Sequence, residues 1–353
     1  MKSAILNILN SIYGSQGKKI YDSREVYFVI NNSRCAEIIY VFLRDKRVPL
    51  CVCKVALDSN LKRHLKVEAD ALSAFKLLGD SYLINSVPAV IWEGDINSHY
   101  VIIESFCSGI SMSEYIFKIR DSKQKLEKLI SSVTNWLIRI AKSKKEDNKN
   151  NKLSLTGLIK EALLGYQKAQ PLSEYEKSII QGFCSNTREE EFIKPILQHG
   201  DFSPLNIIYN RKNNVFFVLD WGYANSKGVL LVDLFGFFLN FFAELYEYRR
   251  AKKRKIIFKP FMKNIYRPLA KIEDFLMVFY KEGWQKDLVD KYINKYCDSL
   301  NISIGQKEIL FIIFILRHLY YDKEFLLAWL NRDKPEFINS HFMAENRGDN
   351  RAY

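Results

Sequence analysis

The stretch HGDFSPLNIIYN, followed by VFFVLDW, constrains this chain more than any other. His199, Gly200, Asp201 and Asn206 stand at fixed spacing, and an apolar run then ends in Asp220. Two Asp and an Asn in this arrangement offer hard oxygen ligands and one spare carboxylate. Mg²⁺ takes oxygen ligands, keeps several waters and uses one or two carboxylates together with substrate phosphates. Asn206 and Asp220 fit a metal pair, which leaves Asp201 to accept a proton from an attacking hydroxyl. For the first four residues alone, a helix-capping Asp with a turn Asn is the plainer alternative. Asp220 weighs against it: the run VFFVLD offers the carboxylate no buried partner, so its charge needs compensation, and a metal supplies that.

The upstream half provides an independent test. Lys54 interrupts CVCKVAL, a run that otherwise reads as a buried strand. With a period of two, Val52, Lys54 and Ala56 share one face. Glu68 falls in a helical segment where Leu65, Glu68, Leu72 and Phe75 follow steps of three and four, so it occupies the apolar stripe. A lone carboxylate is expensive there. Pairing of Lys54 with Glu68 resolves both anomalies and aims the lysine at phosphate. A snorkelling Lys54 and an edge-exposed Glu68 form the alternative.

The rest of the chain reads as strands first and helices later. EVYFVI (25–30), AEIIYVF (36–42) and PLCVCKVAL (49–57) predict a meander. LKRHLKVEADALSAFKLL (61–78) predicts a helix closed by Gly79, and PAVIWEG (88–94) and HYVIIES (99–105) predict two more strands. After Gly109 the pattern is mostly helical, with the polar stretch 142–152 as a solvated loop. This order implies an α+β chain with a boundary near residue 106. Apolar residues make up 48% of the 353, enough for a sizeable core. No segment reaches the roughly 18 uninterrupted apolar residues of a membrane span. GVLLVDLFGFFLNFFA and ILFIIFIL therefore read as buried helices. The N-terminus has no signal-peptide pattern, so the expected location is the cytoplasm. Six cysteines without a C-x-x-C suggest neither a disulfide framework nor a zinc site. Asp233 reads as a carboxylate near the positive end of a helix, with a third metal ligand as the lesser alternative.

With these residues in view, HGDFSPLN and VLDW resemble the motifs of the aminoglycoside phosphotransferase and choline kinase family of small-molecule kinases. The resemblance runs in order through Lys54, Glu68, IIESFCSG, HGD-x4-N and DW, over most of the chain. It implies a two-lobed protein-kinase-like fold. Residues 1–106 would form a nucleotide-binding lobe with a five-stranded antiparallel sheet and one helix. Residues 107–353 would form a mainly helical, catalytic and acceptor-binding lobe. It further implies ATP and Mg²⁺ as cofactors, with Asp201 as catalytic base and Asn206 and Asp220 as metal ligands. Lys54 would touch the α/β-phosphates, Glu68 would hold it, and His199 would support the catalytic loop. The backbone at Glu104 and Phe106 would meet adenine. The glycine-rich loop of protein kinases is missing; NNSRC (31–35) stands in its place, and Ser33 is a candidate phosphate contact. No A-P-E segment follows Asp220, and HGD replaces H-R-D, which argues against a protein substrate.

The resulting expectation is phosphoryl transfer from ATP to a hydroxyl of a small molecule such as a sugar or amino alcohol. The alternatives are a nucleotide-binding module without activity and an aminoglycoside resistance kinase. The net charge of +13 favours anionic partners. It is concentrated in RRAKKRKIIFKPFMK (249–263), which reads as a solvated loop, a dock on an anionic membrane surface or a site for an anionic acceptor. The basic stretch also counts against a polycationic drug as acceptor. No nucleic-acid-binding signature is present.

Overall fold

The computed structural model describes residues 1–15, 26–32, 36–44, 46–143, 152–185, 191–213, 215–253, 271–320 and 323–331. Ser33, Cys35 and the greater part of the basic stretch 249–263 lie outside these residues. Two compact units are present: Met1–Ser111 with Asn206–Asn225, and Met112–Leu205 with Ser226–Tyr353.

The first unit opens with α1 (Lys2–Ser15), followed by β1 (Val26–Asn32), β2 (Ala36–Leu43) and β3 (Cys51–Ala56). Next come α2 (Ser59–Leu77), α3 (Ser81–Ile84), β4 (Val90–Ile96), β5 (His99–Ser105) and the short β6 (Ile110–Ser111). The first five strands form one antiparallel sheet in the order β1-β2-β3-β5-β4. The alternation in β3 decides how the sheet is covered. Cys51, Cys53 and Val55 face a core with Ile5 and Leu9 of α1. Ala56 packs on the other side with Leu65 and Ala69 of α2. The sheet is therefore covered by α1 as well as α2, where the sequence reading had a single helix. The spacing of Ile5, Ile8, Leu9 and Ile12 is helical and was the signal for the extra element.

Helix α2 starts because Asp58 accepts the Leu61 N–H at 2.7 Å, satisfying one of the free donors of the first turn. It ends at Leu77, and Gly79 follows in a left-handed conformation at φ 68°.

The second unit begins with α4 (Met112–Ile119), α5 (Lys123–Ser143), β7 (Leu153–Ser154), α6 (Leu155–Ala169) and α7 (Glu174–Ser185). Two short strands follow, β8 (Phe192–Ile193) and β9 (Ile196–Gln198). The chain then passes through a single 3-10 turn, Pro204–Asn206, into β10 (Ile207–Asn210) and β11 (Val215–Val218) of the first unit. β10 pairs with β11 on one side and with β6 on the other. Gly109 is required there: a Cβ at this position, where φ is 156°, would lie 2.6 Å from the Tyr209 carbonyl oxygen.

The chain returns to the second unit through β12 (Asn225–Gly228), which pairs with β9, and continues in helices. These are α8 (Val232–Lys253), α9 (Ile272–Phe279), α10 (Trp284–Leu300), α11 (Ile304–His318) and α12 (Lys323–Leu330). Phe235 and Phe238 of α8 are buried, as are Phe275 of α9 and Phe314 of α11. Aromatic edges and faces meet throughout this core, as with Phe235 against Phe311 at 4.9 Å. VDLF and ILFIIFIL are thus core helix, as their composition predicts. No single helix among the described residues is long and apolar enough to cross a membrane.

Candidate active site

In the first unit, Lys54 and Glu68 meet. Lys54 Nζ donates to Glu68 Oε1 at 2.7 Å. Lys54 projects from the centre of the sheet and Glu68 from the buried stripe of α2 with Leu65 and Leu72. The same carboxylate oxygen accepts the Trp221 N–H at 3.1 Å. Trp221 is fully buried, its ring lies edge-on to Phe75, and its Nε1–H donates to the Val218 carbonyl. His64 Nδ1 lies 2.9 Å from the Gly222 carbonyl oxygen, with Nδ1–H donating. Helix α2 therefore anchors both the lysine and the segment that follows Asp220.

Asp220 differs from its sequence-based expectation. β11 ends at Val218, and Asp220 adopts φ 67°. Its side chain is 67% exposed and lies 3.8 Å from Lys54 Nζ. Burial therefore imposes no charge penalty that a metal must offset. A non-glycine residue held in the left-handed region is instead a strained position of the kind that clusters at functional sites. Asn206 closes the 3-10 turn, and its carbonyl accepts the Leu219 N–H at 2.8 Å. This bond ties the residue before Asp220 to Asn206. An amide oxygen and an exposed carboxylate on adjoining backbone suit a hard, partly hydrated cation such as Mg²⁺. Among the described residues, no group of three His, Cys, Asp or Glu forms a metal cage.

Glu104 lies in β5, opposite Val52 on one side and Val90 on the other. Its side chain reaches the lysine, with Oε2 at 3.2 Å from Nζ. This second acidic partner was not foreseen from the sequence, which assigned only the backbone of Glu104. Phe106 follows the end of β5 and is half-buried. Burial and the Glu104 charge push the neighbouring Cys107 thiol up to about 12. For Lys54, burial works to lower the pKa, but Glu104, Glu68 and Asp220 together carry it well above the usual amine value.

In the second unit, Asp201 sits on a loop held by its neighbours. Its N–H donates to His199 Nδ1 at 3.2 Å, and the buried His199 ring meets Phe202 edge-on. Gly200 has φ 80°, which allows the tight turn between them. Asp233, in the first turn of α8, accepts the His199 N–H at 2.7 Å and the Gly200 N–H at 3.0 Å. It thus positions the loop, a role that its place in the helix's first turn did not reveal. Burial holds its carboxyl above the usual range, and the two backbone N–H groups act in the opposite direction. His318, at the end of α11, is pushed down to about 4 by burial and by Arg317, with Asp201 pulling the other way.

No protein-family model matches the chain, and no curated protein matches it. Among solved structures, the chain is similar to the aminoglycoside phosphotransferase APH(3'')-Id of Streptomyces rimosus. The two share 12% identity at a TM-score of 0.43, over 89% of this chain and 98% of that one.

Proposed function

We propose that this chain is an ATP- and Mg²⁺-dependent phosphotransferase that acts on a hydroxyl of a small molecule. The observation that carries the proposal is the Lys54–Glu68 pair beside Asp220, with Glu68 also bonded to the Trp221 N–H. A buried, doubly bonded carboxylate holds the amine at one place on the sheet, where it can donate to phosphate oxygens. Asn206 and Asp220 would hold Mg²⁺, which when bound neutralises charge on the phosphates. Asp201 accepts the proton of the acceptor hydroxyl, and His199 and Asp233 keep its loop in place. Catalysis of this kind is positioning and charge stabilisation, with little covalent work for the protein. The acceptor class proposed is a sugar, amino alcohol or similar hydroxylated metabolite.

Calorimetric titration of the protein with ATP, with and without Mg²⁺, tests nucleotide binding, and ADP release over an acceptor panel tests turnover. Mg²⁺-dependent ATP binding and ADP release with at least one acceptor are expected. Asp220→Asn should remove the Mg²⁺-dependent part of the ATP affinity. Nucleotide binding with no turnover on any acceptor would instead favour a non-catalytic binding module. Absence of nucleotide binding would overturn both readings.

A further inference from the structure

Lys54 is surrounded by more negative charge than one ammonium neutralises. Glu68 is 1% exposed and Glu104 3% exposed, and Asp220 adds a third carboxylate. The register of the sheet explains why two buried acids meet one amine. Val52 pairs with Glu104, and Lys54 with Ile102. Residues two apart on a strand share a face, so Glu104 is the diagonal neighbour of Lys54 across β3 and β5. The two acids are not equivalent. Glu68 Oε1 accepts from both Lys54 and the Trp221 backbone. Glu104 reaches Lys54 through Oε2 alone, and its buried Oε1 has no hydrogen-bond partner among the described residues. A buried carboxylate left half satisfied is costly. Burial pushes Glu104 up to about 7, although Lys54 acts to lower it.

Building on the phosphotransferase reading, we propose that Glu104 is a positioning residue that restrains Lys54 in the ligand-free site and is displaced from the amine by nucleotide phosphate. Glu104 Oε2 and a phosphate oxygen compete for the same ammonium. Glu68 stays in place because the Trp221 N–H holds it independently of Lys54. A state that must first release the amine binds phosphate more weakly, in proportion to how rarely the amine is free. Removing the Glu104 charge therefore tightens nucleotide binding, whereas removing the Glu68 charge weakens it.

The test compares the wild-type chain with Glu104→Gln and Glu104→Met, which both remove the charge at similar size, and with Glu68→Gln. The first measurement is the acylation rate of Lys54 without nucleotide, read by mass spectrometry. Glu104 Oε2 holds the amine at 3.2 Å, so both Glu104 variants leave Lys54 freer to react and should acylate it several-fold faster. The second is the calorimetric Kd for Mg·ATP. The Glu104 variants should bind several-fold tighter, and Glu68→Gln should bind more weakly. Unchanged acylation in both Glu104 variants overturns the restraint. Faster acylation with unchanged or weaker Mg·ATP binding overturns the displacement. A wild type that binds no Mg·ATP overturns the phosphotransferase reading and the displacement with it, while the acylation rates still decide the restraint.

Discussion

Glu104 in the first unit and Asp233 in the second are both buried acids, yet they meet burial differently. Asp233 has a backbone N–H on each oxygen, at 2.7 and 3.0 Å. Glu104 has an amine on one oxygen and, among the described residues, no partner on the other. A carboxylate with both oxygens filled acts as a structural tie, since any change in its partners leaves buried groups unpaired. One with a vacant oxygen and a shared amine can exchange partners. The contrast separates a carboxylate that holds a loop from one that shares a single amine. Lys54 contacts the second kind and Asp201 depends on the first.

The largest effect expected from this contrast concerns chemistry. Asp201→Asn should lower kcat by roughly 10²–10⁴ while Mg·ATP affinity stays close to wild type, because under the proposed function the group removed moves a proton and does not hold nucleotide. Steady-state kinetics beside calorimetry would check this, and an equal loss in both quantities would erase the division between the regions.

A smaller effect concerns stability. Asp233→Ala should cost about 3 kcal/mol in urea unfolding, since it strands one buried and one partly buried backbone donor. A cost below about 1 kcal/mol would mean that the loop is not tied at this point.

The smallest effect concerns pH. His318 titrates near 4 in the folded chain and near 6.5 unfolded. Below the unfolded value, the unfolded state takes up a proton that the folded state refuses, so stability falls as pH drops toward 4. The slope between pH 6.5 and 5 should amount to on the order of 1–2 kcal/mol and be lost in His318→Gln. Chemical denaturation at several pH values measures it, and an unchanged slope in the variant would remove His318 from the account.

Much of the first unit was legible because strand and helix periods expose misfit residues. Lys54 breaks an apolar strand and Glu68 an apolar helical stripe, so their pairing followed from the cost of leaving either alone. The strands 25–30, 36–42 and 99–105 lie where β-rich runs are bounded by turn residues, and they match β1, β2 and β5 closely. Helix α1 is absent from the expected elements because its only signal is the three- and four-residue stepping of Ile5, Ile8, Leu9 and Ile12 over a short stretch. Asp220 was misjudged because an apolar run suggests burial to its end, whereas the backbone turns left-handed there and lifts the carboxylate to solvent.

The sequence by itself determined the strand-then-helix order, the alternation of β3, the stripe of α2 and the spacing of His199, Asp201 and Asn206. These are local properties, set by side-chain direction along one element. Only the tertiary structure decided that Glu104 reaches Lys54 and that Asp233 grips His199 and Gly200. Both contacts join residues far apart in the chain. The first depends on the register between β3 and β5, and the second on where α8 begins relative to the loop. Neither registers nor helix placement are written in any single segment; they emerge from packing the apolar faces together.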